Sequence, residues 1–167
     1  TAVSLRPSGI RKFFDLLDGM SDVVALTVGQ PDFVTPWHIR EAGIESLESG
    51  KTYYTSNAGT LPLREEIAAY LARRFSLSYD PKEEIIVTVG GREAIDMCIR
   101  ALINPGDEVI LPSPCWVSYP EMVRMAGGVP VFAPADPDKG FVFTAEDLRP
   151  YVTEKTKALM INSPSNP

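Results

Sequence analysis

The stretch Ile85-Ile86-Val87-Thr88-Val89-Gly90-Gly91-Arg92, followed by a helix-length segment to Ile103, the turn Asn104-Pro105-Gly106-Asp107 and the run Glu108-Val109-Ile110-Leu111, decides the fold class. An apolar, β-branched run meets a glycine pair, a helix follows, a Pro-Gly turn ends it, and a second apolar run begins. Strand, helix and strand joined this tightly predict a parallel sheet covered by helices, an α/β fold. Downstream the pattern repeats. Ser118-Tyr119-Pro120-Glu121 has the spacing of a capping box and opens a short helix that stops at Gly127-Gly128. Residues 129–132 make another strand, Thr144-Ala145-Glu146-Asp147 caps another helix, and the nearly continuous apolar run 157–162 makes a last strand. Strands near 85, 108, 129 and 157 are expected in one sheet, with further members after Pro167.

Upstream, Leu63, Ile67, Tyr70, Leu71 and Phe75 mark an amphipathic helix, with Arg64, Glu65, Glu66, Arg73 and Arg74 expected on its solvated face. Before it, Thr35 is placed to cap a helix with Pro36 in its first position, carrying Ile39, Gly43 and Leu47 and stopping at Gly50. Residues 51–59 have neither helical nor strand period and are expected as a loop, whereas 23–28 predict a strand running into Gly29-Gln30-Pro31-Asp32. Ile10, Phe13, Phe14 and Leu17 fall on one stripe of a helix ending near Gly19.

The charge balance, 16 basic against 22 acidic side chains and a net charge of -6, offers no basic cluster long enough to track a phosphate backbone, so nucleic acid is not the expected partner. The apolar runs fall short of the roughly 20 residues a membrane span needs, and the first residues lack a signal pattern. Cys98 and Cys115 form no close-spaced pair, which argues against a disulfide framework or a zinc site and fits a reducing cytoplasm. A soluble cytoplasmic protein is the expectation.

Chemistry is expected at the carboxyl edge of the sheet. Gly90-Gly91 ends a strand and opens a helix, where backbone N–H groups, the helix dipole and the missing Cβ atoms suit an anion, although many strand-to-helix turns need glycine for geometry alone. The spacing matches no nucleotide fingerprint. Trp116 follows the next strand at the same edge and could stack on a planar ring or simply plug the space between helix and sheet. Asn166 follows the last strand and offers an amide to an oxygen substituent, or serves as a turn residue before proline. An anion cradle, an aromatic plate and an amide on one rim suit a flat, phosphorylated heteroaromatic ring. His38 is expected on an exposed first helical turn and not at a metal, and Cys115, with no histidine nearby in sequence, as a packing residue and not a nucleophile.

With these residues the sequence resembles the class I/II aminotransferases, fold type I pyridoxal-phosphate enzymes of the aspartate and aromatic aminotransferase kind. The matching segments run in family order: Gly29-Gln30-Pro31-Asp32-Phe33, Asn57-Ala58-Gly59-Thr60-Leu61-Pro62-Leu63-Arg64-Glu65, Thr88-Val89-Gly90-Gly91-Arg92-Glu93-Ala94, Asn104-Pro105-Gly106-Asp107-Glu108, Trp116-Val117-Ser118-Tyr119-Pro120 and Asn162-Ser163-Pro164-Ser165-Asn166-Pro167. The match covers the amino-terminal part of a family subunit. It implies a segment of the small domain over residues 1–34, with its helix and substrate loop, and the truncated first part of the cofactor-binding large domain over 35–167. It also implies pyridoxal 5'-phosphate as cofactor. Gly90, Gly91 and Arg92 match the turn holding its phosphate, Trp116 the aromatic stacking on its ring, and Asn166 the asparagine bonding its phenolic oxygen. Tyr54 matches a tyrosine that reaches across a homodimer to the cofactor phosphate of the other subunit, and Gly29 a glycine in the loop closing over the substrate carboxylate.

The implied reaction is amino transfer between an L-amino acid and a 2-oxo acid. The family's Schiff-base lysine, its aspartate on the pyridine nitrogen and its carboxylate-binding arginine all lie beyond the Asn-Pro motif. None of Lys12, Lys51, Lys82, Lys139, Lys155 and Lys157 sits in the lysine motif, so the 167 residues alone are expected to be inactive. Cys115, at a position where the family often has an aromatic, alters the expected pocket wall. A β-eliminating lyase on the same scaffold, or a cofactor-sensing domain of a transcriptional regulator, are the alternatives.

Overall fold

The computed structural model describes residues 16, 17, 20–24, 26, 29 and 31–166. The predicted amino-terminal helix, apart from Leu16 and Leu17, lies outside the described residues, as does half of the predicted strand at 23–28. Two compact units emerge, one spanning Val28–Gly91 and the other containing Arg92–Pro167.

The second unit is built on a sheet. Strands β1 (Glu108–Ser113), β2 (Val129–Pro134) and β3 (Thr156–Leu159) run parallel in the order β2-β1-β3, so β1 is central. Ile110 pairs with Val131 on one side and with Leu159 on the other. Only a strand covered on both faces needs an uninterrupted apolar run, and Val109, Ile110 and Leu111 are each 1% exposed. Their side chains alternate between two cores. Val109 and Leu111 join Ile99, Ile103, Tyr119, Met122 and Val123, whereas Ile110 joins Ala133 and Leu148.

Helix α3 (Gly90–Leu102) supplies Ile99 to the first core, and α4 (Ser118–Met125) supplies Tyr119, Met122 and Val123. The turn from α4 into β2 has no room for a side chain. A Cβ on Gly128 would lie 2.8 Å from Ile103 Cγ2 and 3.1 Å from both the Asp107 carbonyl oxygen and Val123 Cγ1. Helix α5 (Ala145–Leu148) brings Leu148 to the other core, and its predicted capping box forms: Asp147 N–H bonds to Thr144 Oγ1, and Thr144 N–H bonds to Asp147 Oδ2 at 2.8 Å.

In the first unit, α1 (Trp37–Glu48) and α2 (Leu61–Phe75) lie where their apolar periods place them. α1 buries no residue, and α2 buries one, Arg64. This reverses the expectation of a solvated Arg64: its Nη1 donates to the carbonyl oxygens of Pro81 at 2.8 Å and Lys82 at 3.0 Å, so the guanidinium pins the chain that returns from the helix. A long side chain with several N–H donors can reach two carbonyls on another segment at once, which an apolar residue cannot.

Three other expectations shift. Residues 85–89 form no ladder: their segment is tied by Val87 N–H to the Ala58 carbonyl oxygen, and a strand cannot be completed without a lateral neighbour, which none of the described strands provides. Ser118 is the first helical residue of α4, after Val117, and its side chain makes no cap. α1 begins one residue later than predicted, with Pro36 in the flanking position in place of Thr35. Proline has no N–H to leave unsatisfied there.

Candidate cofactor site

The carboxyl ends of β1, β2 and β3 open onto a cavity of about 430 Å³. Its wall includes Ser113, Cys115, Phe141, Phe143, Asn162 and Ser165. The carboxyl edge of a parallel sheet is where such folds receive ligands, because each strand there gives way to a loop that can carry polar groups without disturbing the ladder. Cys115 is part-buried, and burial pushes its thiol pKa up, which disfavours the thiolate and agrees with a packing role. His38 is exposed in the first turn of α1, as expected.

Trp116, next to Cys115, is half-buried and packs against the core formed by Val109, Leu111 and Tyr119. It therefore does fill space between helix and sheet, and its ring has two further neighbours. The Tyr119 ring stands perpendicular to it, with centroids 5.3 Å apart and an 84° interplanar angle, and the Arg92 guanidinium carbon lies over the indole 5.0 Å from its centroid. The local cause of the first contact is helical: Tyr119 N–H bonds to the Trp116 carbonyl oxygen across the turn that starts α4.

α3 opens on Gly90, whose φ of +79° is a backbone state that L side chains rarely adopt. Its N–H bonds to the Thr88 carbonyl oxygen at 2.9 Å, and Thr88 Oγ1 donates to the Gly90 carbonyl oxygen at 3.0 Å, fixing the turn. A Cβ on Gly90 or Gly91 would meet no atom within 4 Å. Gly90 therefore serves turn geometry, and neither glycine relieves a clash with the protein, so the backbone there is open.

Of the predicted site residues, the structure brings together Arg92 and Trp116. Asn166 is exposed in the chain beyond β3, in the unit that holds both. Gly29, Tyr54, Gly90 and Gly91 belong to the Val28–Gly91 unit, where Gly29 is exposed and Tyr54 fully so. The seat of Arg92 on the indole and the part of Tyr119 are not among the sequence expectations, which put Arg92 at a phosphate alone. Tyr119, three residues after Trp116 on a helix start, carried a readable signal; Arg92, a separate element away, carried none.

The sequence pattern of "Aminotransferase class I and II" matches residues 21–167. The protein YugH of Bacillus subtilis, an aminotransferase by its name, is 59% identical over 98% of this chain and 42% of its own length. The aspartate aminotransferase of Pyrococcus abyssi is 47% identical over the same shares. Among solved structures, the aspartate aminotransferase of Thermus thermophilus with maleate superposes with a TM-score of 0.91 at 47% identity, covering 99% of this chain and 44% of that one. The chain thus spans well under half the length of these relatives. With the family's pattern over most of its residues and its fold reproduced by the structure, the chain belongs to the class I and II aminotransferases.

Proposed function

We propose that the intact protein containing this chain is a cytoplasmic, homodimeric, pyridoxal-phosphate-dependent aminotransferase that exchanges an amino group between an L-amino acid and a 2-oxo acid. One observation carries the cofactor reading: a helix opens on two unobstructed glycines and a cation, and that cation lies 5.0 Å over an indole. An anion and a flat ring are the two ligand parts such groups accept. The donor set fits the cofactor. Gly90 and Gly91 would let phosphate oxygens reach first-turn N–H groups, and Arg92 would add positive charge. Trp116 would orient the ring, and the Asn166 amide would donate to its phenolic oxygen. Tyr54, fully exposed, would reach the cofactor phosphate of a second copy, and Gly29 would lie in the loop over the substrate carboxylate.

When bound, pyridoxal phosphate supplies the conjugated pyridine ring that accepts the electrons released with the α-proton. This chain's residues bind and orient. The proton-moving lysine, the aspartate at the ring nitrogen and the arginine for the substrate carboxylate are assigned to the remainder of a family subunit, as are the later members of the sheet.

The test is to assay the intact protein with pyridoxal phosphate, a panel of L-amino acids and 2-oxoglutarate, alongside residues 1–167 alone. Glutamate formation by the intact protein, and none by the shorter chain, is expected. Ammonia release independent of 2-oxoglutarate would favour the eliminating lyase, and cofactor binding without turnover of any amino acid would favour a sensor.

A further inference from the structure

We propose that Arg92 is a positioning residue for Trp116, a role separate from any contact with phosphate. The guanidinium lies over the indole while the Tyr119 ring stands perpendicular to it, so the indole is held by two neighbours of different kinds. Arg92 is exposed on the first turn of α3, and Trp116 is half-buried in the loop between β1 and α4. The contact joins that loop to the first turn of α3, two segments far apart in sequence. A guanidinium suits the task better than an ammonium, because its plane can stack on the ring while its charge meets the negative π face. An indole already held in one orientation loses less freedom when a flat ring arrives, and the saving appears as affinity. The ligand half of this inference rests on the cofactor reading above, whereas the clamp on the indole does not.

The two halves separate experimentally. In the intact protein, a Trp37→Phe background removes the other tryptophan of this chain, and Trp→Phe changes at any others outside it leave Trp116 as the reporter. In the absence of ligand, Arg92→Ala is expected to raise acrylamide quenching of Trp116, with Arg92→Lys intermediate; unchanged quenching overturns the clamp. Equilibrium dialysis then compares pyridoxal phosphate with pyridoxal. Action through the indole weakens pyridoxal, which has no phosphate, by about two- to fivefold for an exposed cation over a ring, and a phosphate contact adds a further loss for pyridoxal phosphate alone. It also leaves Arg92→Ala with no further effect on pyridoxal binding once Trp116 is Leu. A loss confined to the phosphorylated ligand, or one fully restored by Arg92→Lys, would make Arg92 a phosphate contact only and overturn the proposal. Failure of the unsubstituted protein to bind either ligand would sink the cofactor reading, and the quenching result would still decide the clamp.

Discussion

β1 and α1 have comparable claims to be core elements by sequence, yet they end in opposite environments. The four residues from Val109 to Pro112 are all buried, whereas α1 exposes Trp37, Ile39, Ile44 and Leu47 and buries nothing. The contrast teaches that an apolar period marks a face that could be covered without securing anything to cover it. β1 finds its cover within residues 92–166, with helices α3 and α4 on one side and α5 on the other. α1 finds none within its own unit. Truncating the two elements should therefore give very unequal results. Leu111→Ala removes a side chain that is 1% exposed and should destabilise the intact protein by about 2–5 kcal/mol. Leu47→Ala, at a position 67% exposed, should change stability by less than about 0.5 kcal/mol. Denaturant midpoints of the two variants measure the difference. A large effect at Leu47 would break the comparison by showing that the intact protein covers α1.

In the Val28–Gly91 unit, the one residue that α2 buries, Arg64, holds the returning chain by polar means. Its Nη1 serves two carbonyl oxygens on the segment after α2, while its Nε has no partner. Arg64→Met keeps much of the packing but removes both donated bonds, and should cost about 1.5–3 kcal/mol, the range for hydrogen bonds to a charged group. Arg64→Lys, with one compact ammonium in place of a fork, should recover part of the loss. The same denaturation series checks both, and equal midpoints for the Met variant and the parent would show that the segment is held without Arg64.

What was legible in the sequence follows the same division. The extent of α2, the central apolar strand β1 and the Thr144 cap were readable because local period and side-chain chemistry determine them. The lack of a ladder at Ile85–Val89 was not, because pairing depends on a neighbour that no local pattern specifies. Arg64 looked like a surface charge for a related reason: its acceptors, Pro81 and Lys82, are backbone carbonyls, and a carbonyl carries no sequence signature. At the candidate site, the glycine pair, the tryptophan and the asparagine were visible as residue types at strand ends. The seat of Arg92 on the indole arises only when separate elements pack.

The smallest expected effect lies at the start of α5, where sequence and structure agree most closely. Thr144 donates to Asp147 through both its backbone N–H and its hydroxyl, each at 2.8 Å, and these two bonds hold the Asp147 carboxyl below its ordinary pKa, with Lys139 adding a weaker attraction. A carboxylate whose pKa is lower folded than unfolded releases its proton more readily in the native state. Its contribution is therefore fully present above the unfolded value, near pH 4, and is lost as pH falls through the folded one. Asp147→Asn should accordingly lower the thermal midpoint slightly at neutral pH and bring it level with the parent in strong acid, because the parent has by then lost the same interaction. Thr144→Val removes the hydroxyl but leaves the backbone N–H, so it should shrink the acid-dependent difference without abolishing it. Midpoints measured from pH 7 down to about pH 2.5 span the ordinary carboxylate range. Parallel curves for parent and Asp147→Asn would mean that the capping box is formed but energetically silent, and that local agreement between sequence and structure here carries no stability.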